Sequence, residues 1–218
     1  MKDKDVLDEI SSIKNIMERS TRFISLSGLS GVMAGIYALI GSWLAYQALY
    51  ILRGSSTFPY PAILSDLLTF ERGELAGEMF VLALIVLILS ISTGIWLTVR
   101  KARRKGQSVW NQSSRAFLRK GALPLVSGGC FILMLLWQGH YSIIAPASLI
   151  FYGLALAAAS QYTYGDVKWL GLCEIALGLI AMLFPLYSLL FWALGFGVLH
   201  ILYGTIMYFK YDRENSAH

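Results

Sequence analysis

The sequence predicts an all-α polytopic membrane protein, a six-helix transmembrane bundle with a short amphipathic helix at its N-terminal end. Hydrophobic residues make up 56% of the 218 and charged residues only 14%, which excludes an ordinary soluble domain. The apolar residues also gather in six long blocks, each of the order of the ~20 residues that cross a ~30 Å hydrocarbon layer. No block alternates apolar and polar residues as a barrel strand does. Backbone groups in lipid must be satisfied within their own segment, so the blocks are helices.

The elements follow in order. In the leader 1–22, Val6, Ile10, Ile13 and Met17 recur at spacings of four, three and four with charges between them. That is an amphipathic cytoplasmic helix or a short coiled-coil seam, suited to the membrane surface, to a protein partner or to a second copy. The transmembrane domain spans 23–209, with helices at about 23–50, 78–99, 121–138, 143–161, 169–185 and 189–209. The first is expected to be retained, since a leader carrying both charge signs precedes it and no small-residue cleavage site follows. Between the first two spans, Ile63, Leu64, Leu67 and Leu68 share a face after Pro61, which predicts a short interfacial helix. Glu78 is expected at the outer start of the second span, exposed to water. The tail is 210–218.

The connection 100–120 holds eight basic residues and no acid. Beside membrane-embedded helix ends, such charge attracts anionic headgroups by about 1 kcal/mol per residue, and Arg100, Lys101, Arg103, Arg104 and Lys105 are the expected contacts. Topology already demands basic residues at this position, so nucleic acid is not an expected partner. Sixteen of the eighteen Lys and Arg residues fall on the leader, on this connection, at Lys168 or on the tail; Arg53 and Arg72 fall on the opposite side. The positive-inside tendency therefore puts both termini in the cytoplasm. Tryptophan agrees: Trp43, Trp137 and Trp192 fall near predicted outer ends, and Trp96, Trp110 and Trp169 near inner ones.

The fifth block contains "GLCEIALG", from Gly171 to Gly178, and the sixth "GVLHILYG", from Gly197 to Gly204. Each places an ionisable residue three positions after one glycine and four before the next, which keeps all three near one helical face. "GLSGVMAG" repeats the frame with Gly28, Gly31 and Gly35, and "GLALAAAS" offers a looser version from Gly153. Small residues let membrane helices approach closely, so these glycines are expected packing positions.

The last two spans turn at about 185–188, so antiparallel residues at equal depth have numbers summing to ~373. Glu174 and His200 sum to 374. If their glycine-lined faces meet, the two side chains form an intramembrane polar pair. An unpartnered carboxylate at that depth costs several kcal/mol, which makes such a pairing worth having.

Enzyme chemistry has little to work with. The histidines are His140, His200 and His218, too few at one depth for a usual iron or two-metal site. No phosphate loop, HExxH pair or serine nucleophile elbow occurs. Cys130 and Cys173, isolated within different spans, are expected to pack inertly. No catalytic residue, metal or cofactor is expected.

The segments "ISLSGLSGVMAGIYALIGSWLAY" and "LGLCEIALGLIAMLFPLYSLLFWALGFGVLHILYGTIMYFKYDR" resemble a family of uncharacterised six-helix inner-membrane proteins of Bacteroidetes-type bacteria. The resemblance covers nearly the whole chain and implies a bacterial inner membrane. Members sometimes carry a β-carotene monooxygenase label, but the histidine-rich iron site of that activity is missing from this sequence. The last hairpin alone is similar to small acid-resistance membrane proteins of the HdeD type. The expected role is a non-enzymatic membrane protein acting through partners or oligomers, in envelope stress or regulation. The alternative is a small-solute or proton-coupled permease built on Glu174 and His200.

Overall fold

A computed structural model of the chain describes residues 27–51, 72–104, 106 and 108–213, and every regular element among them is helical. The expected leader helix, the interfacial helix after Pro61 and Lys105 lie outside the described residues. Six helices follow: α1 (Gly28–Ile51), α2 (Arg72–Arg104), α3 (Gln112–Gln138), α4 (Ile144–Ala159), α5 (Asp166–Leu183) and the composite α6. The last runs through Ser188–Trp192, Ala193–Leu199, His200–Met207 and Tyr208–Arg213, of which the second and fourth are wound as π-helix.

Five stretches among the described residues are long and apolar enough to cross a membrane: Gly28–Leu49, Gly77–Arg104, Gln112–Gln138, Tyr141–Tyr162 and Pro185–Asp212. The exception is α5, whose 18 residues include Asp166, Lys168 and Glu174. Large apolar side chains such as Val81, Leu87, Ile88, Ile95, Leu123 and Trp137 point outward, each more than half exposed. Water solvates such an exterior poorly and lipid solvates it well, so this is a membrane protein.

Two helices outrun the apolar blocks that announce them. α2 continues through Arg100 to Arg104, and α3 begins at Gln112 rather than near 121. Arg, Lys and Gln favour helix, so polarity ends the hydrophobic block without ending the helix. Asn111 sets the true start of α3. Its side-chain oxygen accepts the Ser114 N–H at 2.8 Å while the Ser114 hydroxyl accepts the Asn111 N–H at 2.9 Å, a reciprocal cap. Gly139, left-handed at φ 77°, ends the helix by returning its N–H to the last turn.

The helices form two groups of three. α1 lies between α2 and α6, α4 lies between α3 and α5, and α6 meets α4 and α5 along a seam between the groups. Glycine decides the pairings. A β-carbon at Gly35 would fall 2.6 Å from the Gly197 carbonyl oxygen, and one at Gly204 would fall 2.8 Å from that of Gly28. In the other group a β-carbon at Gly171 would fall 2.7 Å from the Gly153 carbonyl, and one at Gly178 would fall 2.9 Å from that of Pro146. Gly31 is looser, 3.2 Å from the Gly204 Cα on the same construction.

The glycine-lined faces of α5 and α6 therefore do not meet each other, which corrects the expectation that those faces create the polar pair. Gly171 and Gly178 pack on α4, while Gly197 and Gly204 pack on α1. Backbones approach most closely where both partners lack side chains, and α1 and α4 supply such surfaces.

One end of the bundle is tied by carboxylates. Asp212 Oδ2 accepts the Gly28 N–H at 3.1 Å and the Ser27 hydroxyl at 3.4 Å, and Lys101 Nζ lies 2.6 Å from Oδ1. An acid from the end of α6 thus caps the start of α1 and holds the end of α2. This alters the basic cluster. The Lys101 side chain is only 11% exposed and lies over the Tyr164 ring, so it turns into the protein rather than toward headgroups. Arg100 stacks over Trp96, and Arg103 and Arg104 remain exposed. Of the two cysteines, both unpaired, Cys173 is half-buried and Cys130 is exposed on the outside of α3.

The glycine pairings are testable against each other. Gly204→Ala forces a methyl into the α1 backbone and is expected to destabilise by about 1–3 kcal/mol. Gly129→Ala, with open space where the methyl would go, is expected to leave the unfolding midpoint unchanged or higher through better helix propensity. Tryptophan-fluorescence melts of both variants in one detergent measure the contrast.

Candidate functional site

Glu174 occupies the middle of α5 and is fully buried; His200 begins the second α-helical segment of α6 and is 6% exposed. The turn Pro185–Tyr187 folds α6 back along α5, and His200 Nδ1 lies 3.3 Å from Glu174 Oε1. A third group joins them from α4. The Tyr152 hydroxyl is 2.8 Å from His200 Nε2.

Local winding explains how the imidazole is held. His200 Nδ1 lies 3.0 Å from the carbonyl oxygen of Gly195, five residues earlier. Five residues is the hydrogen-bonding period of the π-helical stretch Ala193–Leu199 that ends at His200. The stretch brings that carbonyl beneath the ring. Gly195 has a second role, because a β-carbon there would collide with Glu174 Oε2 and with Leu149 Cδ2. Its missing side chain is the space the carboxyl occupies.

The partners define the protonation chemistry. With Nδ1–H donating to the Gly195 carbonyl, a neutral imidazole accepts at Nε2 from the Tyr152 hydroxyl. Charged imidazolium would instead donate from Nε2 to the Tyr152 oxygen and share Nδ1–H between Gly195 and Glu174. Neither Glu174 oxygen makes a hydrogen bond among the described residues, although Oε1 is close enough to Nδ1 for strong electrostatic attraction. The donor is aimed at Gly195, so carboxyl and ring lie close without a second hydrogen bond. An isolated carboxylate in this setting costs several kcal/mol. A proton held on either the carboxyl or the ring relieves that cost, and the imidazole is the nearest group able to share it.

Aromatic rings close around the site. Phe196 lies 5.0 Å from Tyr152, 5.9 Å from the His200 ring and 5.0 Å from Trp192, between centroids. Leu149, with no exposed surface, fills the side toward α4. The electrostatics of the pair are therefore little screened by water.

The structure thus sets Glu174 beside His200 and turns the packing glycines of the same two helices against α4 and α1. Tyr152, Gly195 and Asp212 are absent from the residues singled out in the sequence. For Tyr152 a signal exists: "LIFYG" at 149–153 parallels "HILYG" at 200–204, each with tyrosine directly before a glycine on which another helix packs. For Gly195 none does, since its role comes from a carboxyl on another helix.

Removing the imidazole should cost far more than removing the charge. His200→Leu leaves the buried carboxyl without its counter-group and is expected to destabilise by about 3–5 kcal/mol. Glu174→Gln keeps the shape and is expected to cost about 1 kcal/mol or less. The double variant should recover part of the His200→Leu loss, and non-additive unfolding midpoints measured near neutral pH would register that coupling.

Comparison with protein families, with curated proteins and with solved structures gives no match for this chain.

Proposed function

We propose that the chain is a non-enzymatic, multi-pass protein of a bacterial inner membrane that binds and releases a proton at Glu174 and His200. It passes that state to a protein partner or a second copy, as a regulator of the envelope would. One observation carries this reading: a wholly buried carboxyl with no hydrogen bond among the described residues lies 3.3 Å from a buried imidazole. Apolar residues of similar volume often stabilise a fold as well as a buried ion pair does, so packing alone gives little reason for the pair. Titration gives a reason.

On this reading α5 is the sixth span. Its 18 residues reach about 27 Å at ~1.5 Å per residue, and its central carboxyl is neutralised by His200 rather than by water. Asp166 and Lys168 then sit at the cytoplasmic boundary, with both termini on that side. Arg100, Arg103 and Arg104 meet anionic headgroups there, and the amphipathic pattern of residues 1–22 supplies the docking segment.

A second reading is favoured by a separate observation. The π-helical stretch Ala193–Leu199 interrupts α6 near the middle of the apolar stretch Pro185–Asp212, beside the ionisable pair and on the seam between two three-helix groups. Interrupted helices at the midplane are a feature of transporters. In that case the same proton drives a small solute across.

The proton reading is checked by unfolding midpoints between about pH 5 and 8, where imidazole titrates. The wild type is expected to show a pH-dependent step that Glu174→Gln abolishes; a step of equal size in both sinks the reading. Reconstitution with a pH-sensitive dye separates the two roles, since saturable solute uptake that requires Glu174 identifies a permease and displaces the regulator.

A further inference from the structure

The seam between the helix groups carries polar contacts at two levels between α5 and α6. At mid-bundle are Glu174 and His200; one residue away, Cys173 Sγ is 4.0 Å from the Tyr203 hydroxyl. At the end of the bundle the Tyr211 hydroxyl is 2.8 Å from Asp166 Oδ2, and Lys210 Nζ is 3.0 Å from the same oxygen. Positions 166 and 173 on one helix, and 203 and 211 on the other, are two turns apart. The contacts therefore form a ladder from the bundle end to the buried pair.

The end contacts all cross from one helix group to the other. Tyr211 of α6 stacks on Tyr164, in the connection between α4 and α5, with centroids 3.9 Å apart. Lys101 of α2 lies over the other side of the cluster, 5.6 Å from the Tyr164 ring centroid. Burial, the Asp212 carboxylate and the Tyr211 phenol hold the Tyr164 hydroxyl above its ordinary range, so it stays protonated and the ring stays neutral. Lys210 is half exposed and adds little as a surface ion pair, which leaves the phenol-to-carboxylate bond and the ring stack as the principal ties.

We propose that Tyr164, Tyr211, Asp166 and Lys210 form a gate over the α5/α6 seam. Parting of these four admits water to Cys173 and Tyr203 and then to the Glu174–His200 pair. The inference rests on the reading that the pair exchanges a proton, and it names the end through which exchange occurs. Mechanically, glycine contacts lock α6 to α1 and α5 to α4, so each pair moves as a unit and the seam is the weaker join. Its polar ties at the end exchange readily for water. The second π-helical stretch, Tyr208–Arg213, lies where α6 carries half the gate, and such stretches are places where a helix can rewind.

Cys173 reports on the gate without any transport assay. In a Cys130→Ser background it is the sole cysteine, and a water-soluble maleimide on protein in lipid nanodiscs labels it faster when water reaches the seam. Tyr211→Phe keeps the ring stack and removes one hydrogen bond to a carboxylate, so labelling is expected to rise about tenfold. Asp166→Asn combined with Lys210→Met should raise it at least as much. Ser188→Ala, which removes a contact to Ser142 at the opposite end of the seam, should leave the rate unchanged. Labelling no faster than the parent in both gate variants, at wild-type unfolding midpoints, overturns the gate. An equal rise in Ser188→Ala also overturns it, because the seam would then be loosening everywhere. Loss of the proton reading shows elsewhere, as equal pH dependence of unfolding in wild type and Glu174→Gln, and leaves the labelling result to stand or fall by itself.

Discussion

Lipid offers helices no hydrophobic reward for leaving it, so what binds these helices is how closely their backbones can come. Where glycine faces glycine, as at Gly28 and Gly204, Gly35 and Gly197, or Gly153 and Gly171, even one β-carbon would strike the opposing main chain. Those contacts join α1 to α6 and α4 to α5. The arrangement of the remaining helices follows from them. α2 and α3 dock on the outer sides of the two tight pairs, and the inner sides face each other across a seam that glycine does not close.

The seam is where polarity gathers. Glu174, His200 and Tyr152 meet at its centre, and Asp166, Lys210, Tyr211 and Tyr164 at its end. A seam of interlocked aliphatic residues would hold with fewer electrostatic costs, because buried polar groups are stable only while their partners stay in place. Polar ties have a different property: they exchange between protein and water as geometry and protonation change. The π-helical winding of α6 beside both polar clusters fits that property, since it supplies the Gly195 carbonyl to His200 at one level and carries Lys210 and Tyr211 at the other.

Much of this is legible in the sequence. Block length and composition imply helices suited to lipid, and the turn near Pro185 implies that Glu174 and His200 lie at one depth. The glycine frames also mark the packing faces. Their partners, however, could not be read from the motif, because identical frames on α1, α5 and α6 are equally able to pair. The charge pattern misled in one detail: Lys101 looks like its basic neighbours until Asp212, over a hundred residues away, draws it inward to 2.6 Å.

By itself, then, the sequence determined what is set by counting along a helix: the apolar blocks, the depth of the ionisable residues and the faces free of side chains. These follow from constant rise and constant angle per residue, which are local properties. Only the tertiary structure decided which glycine faces meet, that Tyr152 completes the pair, that Gly195 makes room for the carboxyl and that Asp212 caps α1. Each of those joins residues far apart in the chain. Their contact depends on the azimuth at which one helix meets another, and no local periodicity carries that angle.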